Sequence, residues 1–283
     1  MPRRPVALRG VPLGLTCALT FLGVVYGFQH PWREYPAVEY NNFPIPDDSK
    51  VPGEWVFARI MYPPGPLDGY SSTGRFMGDY RLGASLWTQD YPRADRHFSR
   101  ALRRLSRIAV RSVEQVVSLD DDDVYNWPWI YAVQVGEWGM TEKEGAKLRD
   151  YLQRGGFFMA DDFHGFEEWA EFEKRIKYAL PDRPIVEMQD DDPYFHTVYD
   201  IADRPQVPGA DHLGAGCKFC QNGGTGAHWR GIYDDKGRVM VAISFNSDLG
   251  DAWEFADSPY YPEKFSALAI RVTVNNVIYA MTH

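Results

Sequence analysis

Short apolar runs alternate along the chain with segments whose apolar residues recur every three or four positions. The runs predict β-strands and the periodic segments predict amphipathic helices, because these spacings place apolar side chains on one face of each element. The predicted strands cover residues 55–61, 113–119, 129–135, 157–160, 185–188, 228–233 and 239–245. The predicted helices cover residues 93–108, 142–154 and 166–180, and a last helix begins near residue 262.

The order of these elements predicts the fold class. Strands that alternate with helices indicate an α/β fold, in which a mostly parallel sheet lies between two layers of helices. Residues 234–238, Asp-Asp-Lys-Gly-Arg, separate the last two strands and predict an antiparallel hairpin added to that sheet. Thr141 and Glu144 have the spacing of a capping box, which predicts where the second helix begins.

The beginning of the chain predicts export. Residues 1–28 have a basic start, which includes Arg3 and Arg4, followed by a mostly apolar run. This pattern is typical of a signal peptide, and it also suits a membrane-targeting helix that is kept as a signal anchor. Residues 29–53 contain five prolines and predict an extended tether, and residues 54–283 predict a single α/β domain. We expect that domain in the periplasm or elsewhere outside the cytoplasm, either free or anchored in the inner membrane.

The charge of the chain limits its partners. The net charge is −9, and 24% of the residues are charged. A surface this negative repels phosphate backbones, so we expect no nucleic-acid partner. The remaining partner classes are the membrane, through the N-terminal segment, and an envelope protein, saccharide or peptide.

Acidic residues follow the predicted strand at 157–160. Asp161, Asp162 and His164 stand at its carboxyl end, where ligands bind in open parallel sheets. They are candidate catalytic residues, since two carboxylates and an imidazole can bind a cation or act as acid and base. His196 is a further candidate from a neighbouring loop. The alternative is structural: Asp161 or Asp162 caps the helix that begins near residue 166.

A second acidic segment follows the predicted strand at 239–245. Asp248, Asp251 and Trp253 are candidate ligand-binding residues in the segment 246–253. The spacing of its oxygen-bearing side chains would suit calcium, although the glutamate of an EF-hand loop is missing. Ordinary turn chemistry explains the same residues equally well.

A Cys-x-x-Cys pair offers a possible zinc site. His212, Cys217, Cys220 and His228 form a zinc-compatible ligand set in a glycine-rich segment, so zinc is the candidate cofactor. The histidine spacings match no common zinc finger. A disulfide between the two cysteines, or two free thiols, are the alternatives.

Several segments resemble a known bacterial family, the domain of unknown function 4159. The similar segments are residues 58–62, 129–135, 142–162, 192–196 and 247–253. The resemblance implies a flavodoxin-like sheet related to the class I glutamine amidotransferases, and many envelope proteins among the relatives. The turn that holds the nucleophilic cysteine in an amidotransferase corresponds here to Asp161 and Asp162. Because a carboxylate cannot replace a thiolate in acyl transfer from glutamine, we expect no glutaminase activity.

Two functional hypotheses follow from these residues. The first is a non-catalytic envelope protein that binds a ligand or partner at the acidic strand ends. The second is a metal-dependent hydrolase that uses the same carboxylates together with His164 or His196.

Overall fold

Seven strands form one mixed sheet in the computed structural model, which describes residues 30–68, 78–215 and 217–283. The strands are β1 (Ala58–Met61), β2 (Gln115–Ser118), β3 (Trp129–Ala132), β4 (Phe157–Ala160), β5 (Val186–Glu187), β6 (His228–Tyr233) and β7 (Val239–Phe245). Their order across the sheet is β2-β1-β3-β4-β7-β6-β5. The first five strands in this order are parallel, and β6 and β5 extend the sheet antiparallel to β7. The predicted α/β fold with a mostly parallel sheet and an added hairpin is therefore confirmed.

Five α-helices accompany the sheet in the described part of the chain. They are α1 (Arg93–Leu105), α2 (Glu142–Gln153), α3 (Gly165–Ala179), α4 (Leu249–Glu254) and α5 (Glu263–Thr282). Helix α2 begins at the predicted capping box, where Thr141 and Glu144 bond each other's backbone amides. Helix α4 has no counterpart among the predicted helices, because six residues are too few to show a helical period. No helix in the described ranges combines the length and hydrophobicity needed to cross a membrane. The predicted membrane-targeting helix at 1–28 lies outside the described residues.

The central strands β3, β4 and β7 are buried on both faces, and each face of the sheet has its own apolar core. Helices α1, α4 and α5 cover one face, and α2 and α3 cover the other. In β3, Trp129 and Tyr131 belong to the first core, while Ile130 and Ala132 belong to the second. A strand covered on both sides is apolar at every position, as the continuous runs in the sequence predicted. The two cores fix the ends of the parallel strands at one common edge.

A buried ion pair joins β1 to α1. The guanidinium group of Arg59 donates to Asp95 Oδ2 at 2.9 Å and to the carbonyl oxygens of Trp87 and Gln89 at 3.2 Å and 3.0 Å. Both charged side chains are fully buried. Burial by itself would lower the pKa of Arg59, but the Asp95 carboxylate raises it, so the guanidinium stays charged. The pair holds the connection between β1 and α1 against the carboxyl end of the sheet.

The proline-rich segment contacts the domain. Residues 32–53, which we call the strap, belong to the same compact unit as the rest of the described chain through His283. The backbone amide of Tyr35 donates to the hydroxyl of Tyr91 at 3.1 Å, and Glu34 pairs with Arg96 at 2.6 Å. Arg96 also donates to the carbonyl oxygen of Pro44 at 3.1 Å. Helix α1 thus supplies much of the surface on which the strap lies.

We predict that Asp95→Ala lowers the free energy of unfolding by about 3–5 kcal/mol, because it leaves the buried charge of Arg59 without a partner. Urea denaturation followed by circular dichroism measures the change. The matched control is Glu173→Gln, which removes an exposed ion pair with Lys177 and should leave stability nearly unchanged. Equal effects of the two substitutions would contradict a structural role for the Arg59–Asp95 pair.

Candidate functional site

The turn after β4 places two carboxylates at the carboxyl edge of the sheet. Oδ2 of Asp161 accepts hydrogen bonds from the Tyr131 hydroxyl at 3.1 Å and from the backbone amides of Leu249 and Gly250, both at 3.0 Å. Asp161 therefore caps α4 rather than the helix that follows it in sequence. The next residue, Asp162, has a φ of 51°, in the left-handed region that few residues other than glycine adopt.

The turn after β7 brings two more carboxylates to the same edge. Asp248 is the N-cap of α4, and its Oδ1 accepts a hydrogen bond from the Asp251 amide at 2.7 Å. Oδ2 of Asp251 accepts one from the Ala210 amide at 2.6 Å. Strands β4 and β7 are parallel neighbours in the sheet, so their carboxyl ends lie side by side. The two predicted acidic segments follow these ends and therefore meet.

Asp90 adds a carboxylate from the connection between β1 and α1. It also has a left-handed backbone, with φ at 62°. Its Oδ2 lies so close to the α-carbon of Gly250 that a β-carbon at that position would collide with it. Only glycine therefore allows the Asp90 side chain to approach α4. Sequence reasoning missed Asp90. An acid in the connection between a parallel strand and the next helix is nevertheless a usable signal, because such connections begin at the carboxyl edge of the sheet.

The strap and the end of α4 contribute the last two acids. Oε2 of Glu39 accepts a hydrogen bond from the Asp90 amide at 2.7 Å, and Glu39 also contacts the side-chain amide of Gln89. Glu254 contacts the hydroxyl of Tyr40. Sequence reasoning missed both glutamates. No local pattern links Glu39 to an edge formed by residues far along the chain.

We refer to these seven acids together as the acidic cluster. Its members are Glu39, Asp90, Asp161, Asp162, Asp248, Asp251 and Glu254. All are buried except Asp251, which is half-buried, and Glu39, which is exposed.

The acidic cluster has few positive partners. Among the described residues, no lysine or arginine forms an ion pair with any of its five aspartates. Arg93 approaches Glu254 Oε1 to 4.0 Å, but its closer partner is Asp257 at 2.8 Å. Arg59, the nearest buried cation, is already paired with Asp95. Burying this much negative charge is costly unless the carboxyl groups are protonated or hold a cation.

Three carboxylate oxygens in the cluster are buried without any hydrogen-bond partner among the described residues. They are Oδ2 of Asp90, Oδ1 of Asp161 and Oε2 of Glu254, on side chains that are at most 1% exposed. Buried polar atoms in folded proteins nearly always have a partner. These three oxygens are therefore the atoms at which a proton or a cation is expected.

Burial raises the pKa of most carboxyl groups in the cluster. The pKa of Asp90, Asp161 and Asp248 lies well above the ordinary value, first because of desolvation and then because of neighbouring aspartates. Desolvation also raises the pKa of Asp251 to about 7 and the pKa of Glu254 to about 9. At neutral pH, a folded chain without a cation therefore keeps the carboxyl group of Glu254 mostly protonated and that of Asp251 about half protonated.

Two groups of three carboxylates have the spacing of metal ligands. Asp90, Asp248 and Asp251 each offer an oxygen within 4.8 Å of the other two, and so do Glu39, Asp90 and Glu254. Asp90 belongs to both groups. The described residues contain no comparable group that includes a histidine or cysteine.

A histidine lies beside the cluster. His164 is buried, and its Nε2 lies 3.1 Å from Oδ1 of Asp162. Oε2 of Glu168 accepts a hydrogen bond from the His164 amide at 2.7 Å. The Nδ1 atom of His164 has no partner among the described residues. The structure therefore places the ring of His164 against Asp162, while Asp161 bonds Tyr131 and the start of α4.

His196 is not brought to this site. Its ring contacts Asp200 at 2.6 Å and the Asp190 carbonyl oxygen at 2.8 Å. Two residues earlier, the ring of Tyr194 stacks on Phe157 at the start of β4, the end of the strand opposite to Asp161.

Trp253 forms part of the apolar floor under the site. Its side chain is fully buried, with ring centroids 5.3 Å from Tyr131 and 5.9 Å from Phe57. A ligand at the surface does not reach a ring in this position. Trp253 instead supports Tyr131, whose hydroxyl bonds Asp161.

The four residues predicted as zinc ligands do not converge within the described ranges. Cys217 and Cys220 form a disulfide, so neither sulfur is a thiolate. His228 lies in β6, where its ring contacts Glu187 at 3.3 Å and stacks on Phe245. His212 lies in a short 3₁₀ helix, Ala210–His212.

We predict that, without metal, the melting temperature falls as the pH rises from about 5 to about 9. The folded-state pKa values of Asp251 and Glu254, about 7 and about 9, exceed the ordinary values of 3.8 and 4.5. The folded state therefore binds more protons than the unfolded state between these limits, so its stability decreases as pH rises. Thermal unfolding in buffers with a chelator measures the slope.

The double substitution Asp251→Asn and Glu254→Gln should flatten this dependence, because neutral amides replace both carboxyl groups. The control Asp191→Asn changes an exposed acid and should keep the wild-type slope. A slope that is the same in all three proteins would contradict the raised pKa values.

Comparison with known proteins places this site within a family. The family model described as Domain of unknown function (DUF4159) matches residues 79–281, which include every member of the acidic cluster except Glu39. No curated protein matches the chain. The family model covers well over half of the 283 residues, and the chain therefore belongs to the DUF4159 family.

Proposed function

We propose that this protein is a binding domain whose acidic cluster holds a divalent cation. The observation that carries the proposal is the group formed by Asp90, Asp248 and Asp251, whose oxygens lie within 4.8 Å of one another. A cation at this position would neutralise buried charge that no lysine or arginine in the described residues compensates. It would also give Oδ2 of Asp90 the partner that it lacks.

The donor atoms favour a hard cation. All three ligands are carboxylates, and oxygen ligands suit Ca²⁺, Mg²⁺ or Mn²⁺, whereas zinc prefers sites that include nitrogen or sulfur. We therefore propose one of these ions as the cofactor, in place of zinc at the segment that contains Cys217 and Cys220. Three protein ligands leave coordination positions on such an ion for water or for oxygen atoms of a ligand.

The ligand would be a partner in the cell envelope. Asp251 is only half-buried, which supports access to the cation from the surface. Hydroxyl or carboxylate oxygens of a saccharide or peptide could fill the open positions. The disulfide between Cys217 and Cys220 supports a location outside the cytoplasm, because disulfides persist in oxidising compartments. The basic and apolar N-terminal segment supports export in the same way.

The sheet supports the proposed kinship with flavodoxin-like amidotransferases. Its five parallel strands, in sheet order, are the second, first, third, fourth and last of the chain, and this is the strand order of flavodoxin-like sheets. Asp162 holds the left-handed turn after β4, at the position we assign to the amidotransferase nucleophile. A carboxylate there cannot form the thioester of glutaminase chemistry, so we propose that the fold is retained without that activity.

A metal-dependent hydrolase is the second candidate. The observation that favours it is the buried pair of His164 and Asp162, whose ring nitrogen and carboxylate oxygen are 3.1 Å apart beside the cluster. A histidine oriented in this way could remove a proton from a water molecule near the cation. Alanine at His164 should abolish hydrolysis and leave cation binding intact under this hypothesis.

We predict that the purified full chain binds Ca²⁺, Mg²⁺ or Mn²⁺ and is stabilised by it. At a free cation concentration about 100 times the Kd, the stabilisation is about 2.7 kcal/mol, which corresponds to a rise in Tm of roughly 5–10 °C for a domain of this size. Differential scanning calorimetry with and without each ion measures the rise.

Asp251→Asn should remove the part of this rise that the proposed site contributes, because the amide keeps the hydrogen bond from Ala210 but loses the charge. Asp191→Asn is the matched control, since it removes one exposed charge at a site away from the cluster. A wild-type Tm that is the same with every ion would contradict the proposed function.

A further inference from the structure

Two neighbouring residues of the strap, Glu39 and Tyr40, contact the acidic cluster. Glu39 lies beside Asp90 and Glu254, and one oxygen from each of the three lies within 4.8 Å of the other two. This group shares only Asp90 with the proposed cation site at Asp248 and Asp251. The strap therefore supplies a carboxylate to a second, adjacent group of possible ligands.

Two unpartnered oxygens belong to this second group. Oδ2 of Asp90 and Oε2 of Glu254 are buried, on side chains that are each 1% exposed, and neither has a hydrogen-bond partner among the described residues. The nearest positive group, Arg93, is 4.0 Å from the other oxygen of Glu254 and is engaged by Asp257. A cation at the first site would already give Oδ2 of Asp90 a partner. The orphaned Oε2 of Glu254 is therefore the separate indication that an atom outside the chain belongs between Asp90 and Glu254.

Two contacts hold the carboxylate of Glu39 in place. The Asp90 amide donates to Oε2 of Glu39 at 2.7 Å, and Gln89 contacts Oε1. Each carboxylate oxygen can accept more than one interaction, so both remain able to bind an ion. The adjacent residue Tyr40 contacts Glu254, which brings the strap and α4 together at the same point.

We propose that Glu39, Asp90 and Glu254 bind a second cation, and that this ion fastens the strap to the domain. Asp90 would then bridge the two ions. The inference rests on the proposed function, because the first site supplies the bridging carboxylate. Ca²⁺ fits the group best. It binds oxygens at 2.3–2.6 Å, so two oxygens bound to one Ca²⁺ ion can be up to about 5 Å apart. The oxygens of this group lie within 4.8 Å of one another, which is inside that limit.

The consequence is a strap whose attachment depends on the cation. The strap also makes contacts outside the acidic cluster, such as the ion pair of Glu34 with the buried Arg96 and the packing of Tyr35 on Trp87. An ion bound by Glu39 would link the strap directly to the connection after β1 and to α4. Loss of the ion would therefore loosen the strap from the connection after β1 and from α4.

Calcium titration of the full chain with limited trypsin digestion tests the proposal. Isothermal titration calorimetry should give two Ca²⁺ ions per wild-type chain and one for Glu39→Gln. The probe for the strap is cleavage after the exposed residues Arg33 and Lys50. At a Ca²⁺ concentration about ten times the Kd of the second site, cleavage of the wild-type strap should slow on the order of tenfold. The reason is that the fraction of chains with a detached strap falls by that factor.

The variants separate the two sites. Glu39→Gln keeps an oxygen for the Asp90 amide but loses the charge, so its strap cleavage should not respond to Ca²⁺. Glu34→Gln, the matched control in the same strap, should keep both ions and the protection by Ca²⁺. Two ions in Glu39→Gln, or protection that persists in it, would overturn the second site.

The stoichiometry distinguishes this inference from the proposed function. A single ion in the wild-type chain that Asp251→Asn abolishes and Glu39→Gln does not would overturn the second site and leave the first. No ion in the wild-type chain would overturn both.

Discussion

Uncompensated negative charge at one end of the sheet is the constraint on which the site depends. Asp90, Asp161, Asp162 and Asp248 are buried there, and no lysine or arginine in the described residues pairs with them. Each carboxylate removed from water in this way opposes folding unless it is protonated or neutralised. The raised pKa values and the unpartnered oxygens are two consequences of that one fact. A divalent cation bound by Asp90, Asp248 and Asp251 would lower the pKa of these three carboxyl groups and give Oδ2 of Asp90 a partner.

The fold explains why the charges converge. Parallel strands all end at the same edge, so β4 and β7 deliver their following residues to one place, and the connection after β1 adds Asp90. Helix α4 is capped by Asp161 and Asp248, and its own Trp253 packs against Tyr131 of β3. Arg59 lies close by, but its guanidinium group already pairs with Asp95, and this ion pair links β1 to α1. The same architecture that builds two apolar cores therefore leaves the five aspartates of the cluster without a lysine or arginine partner in the part of the chain that the structure describes.

The sequence predicted the strands, the helices and the type of sheet more fully than the residues of the site. Continuous apolar runs and the capping box at Thr141 located strands and helices, since both signals are local. The same local reasoning found Asp161, Asp162, Asp248 and Asp251 at strand ends. It assigned the alternative capping role of Asp161 to α3, whereas Asp161 caps α4, which is distant in sequence. Glu39 and Glu254 were missed because only the tertiary fold brings them to this edge. Asp90 did carry a usable signal, since it lies in the connection between a parallel strand and the next helix.

The most direct test of a cation-held cluster is X-ray diffraction near the manganese absorption edge, from crystals of the full chain grown with Mn²⁺. A bound cation predicts an anomalous peak between the carboxylates of Asp90, Asp248 and Asp251, with Oδ2 of Asp90 directed at it. Carboxyl groups that share protons across short oxygen–oxygen contacts, with no anomalous peak among them, would contradict it.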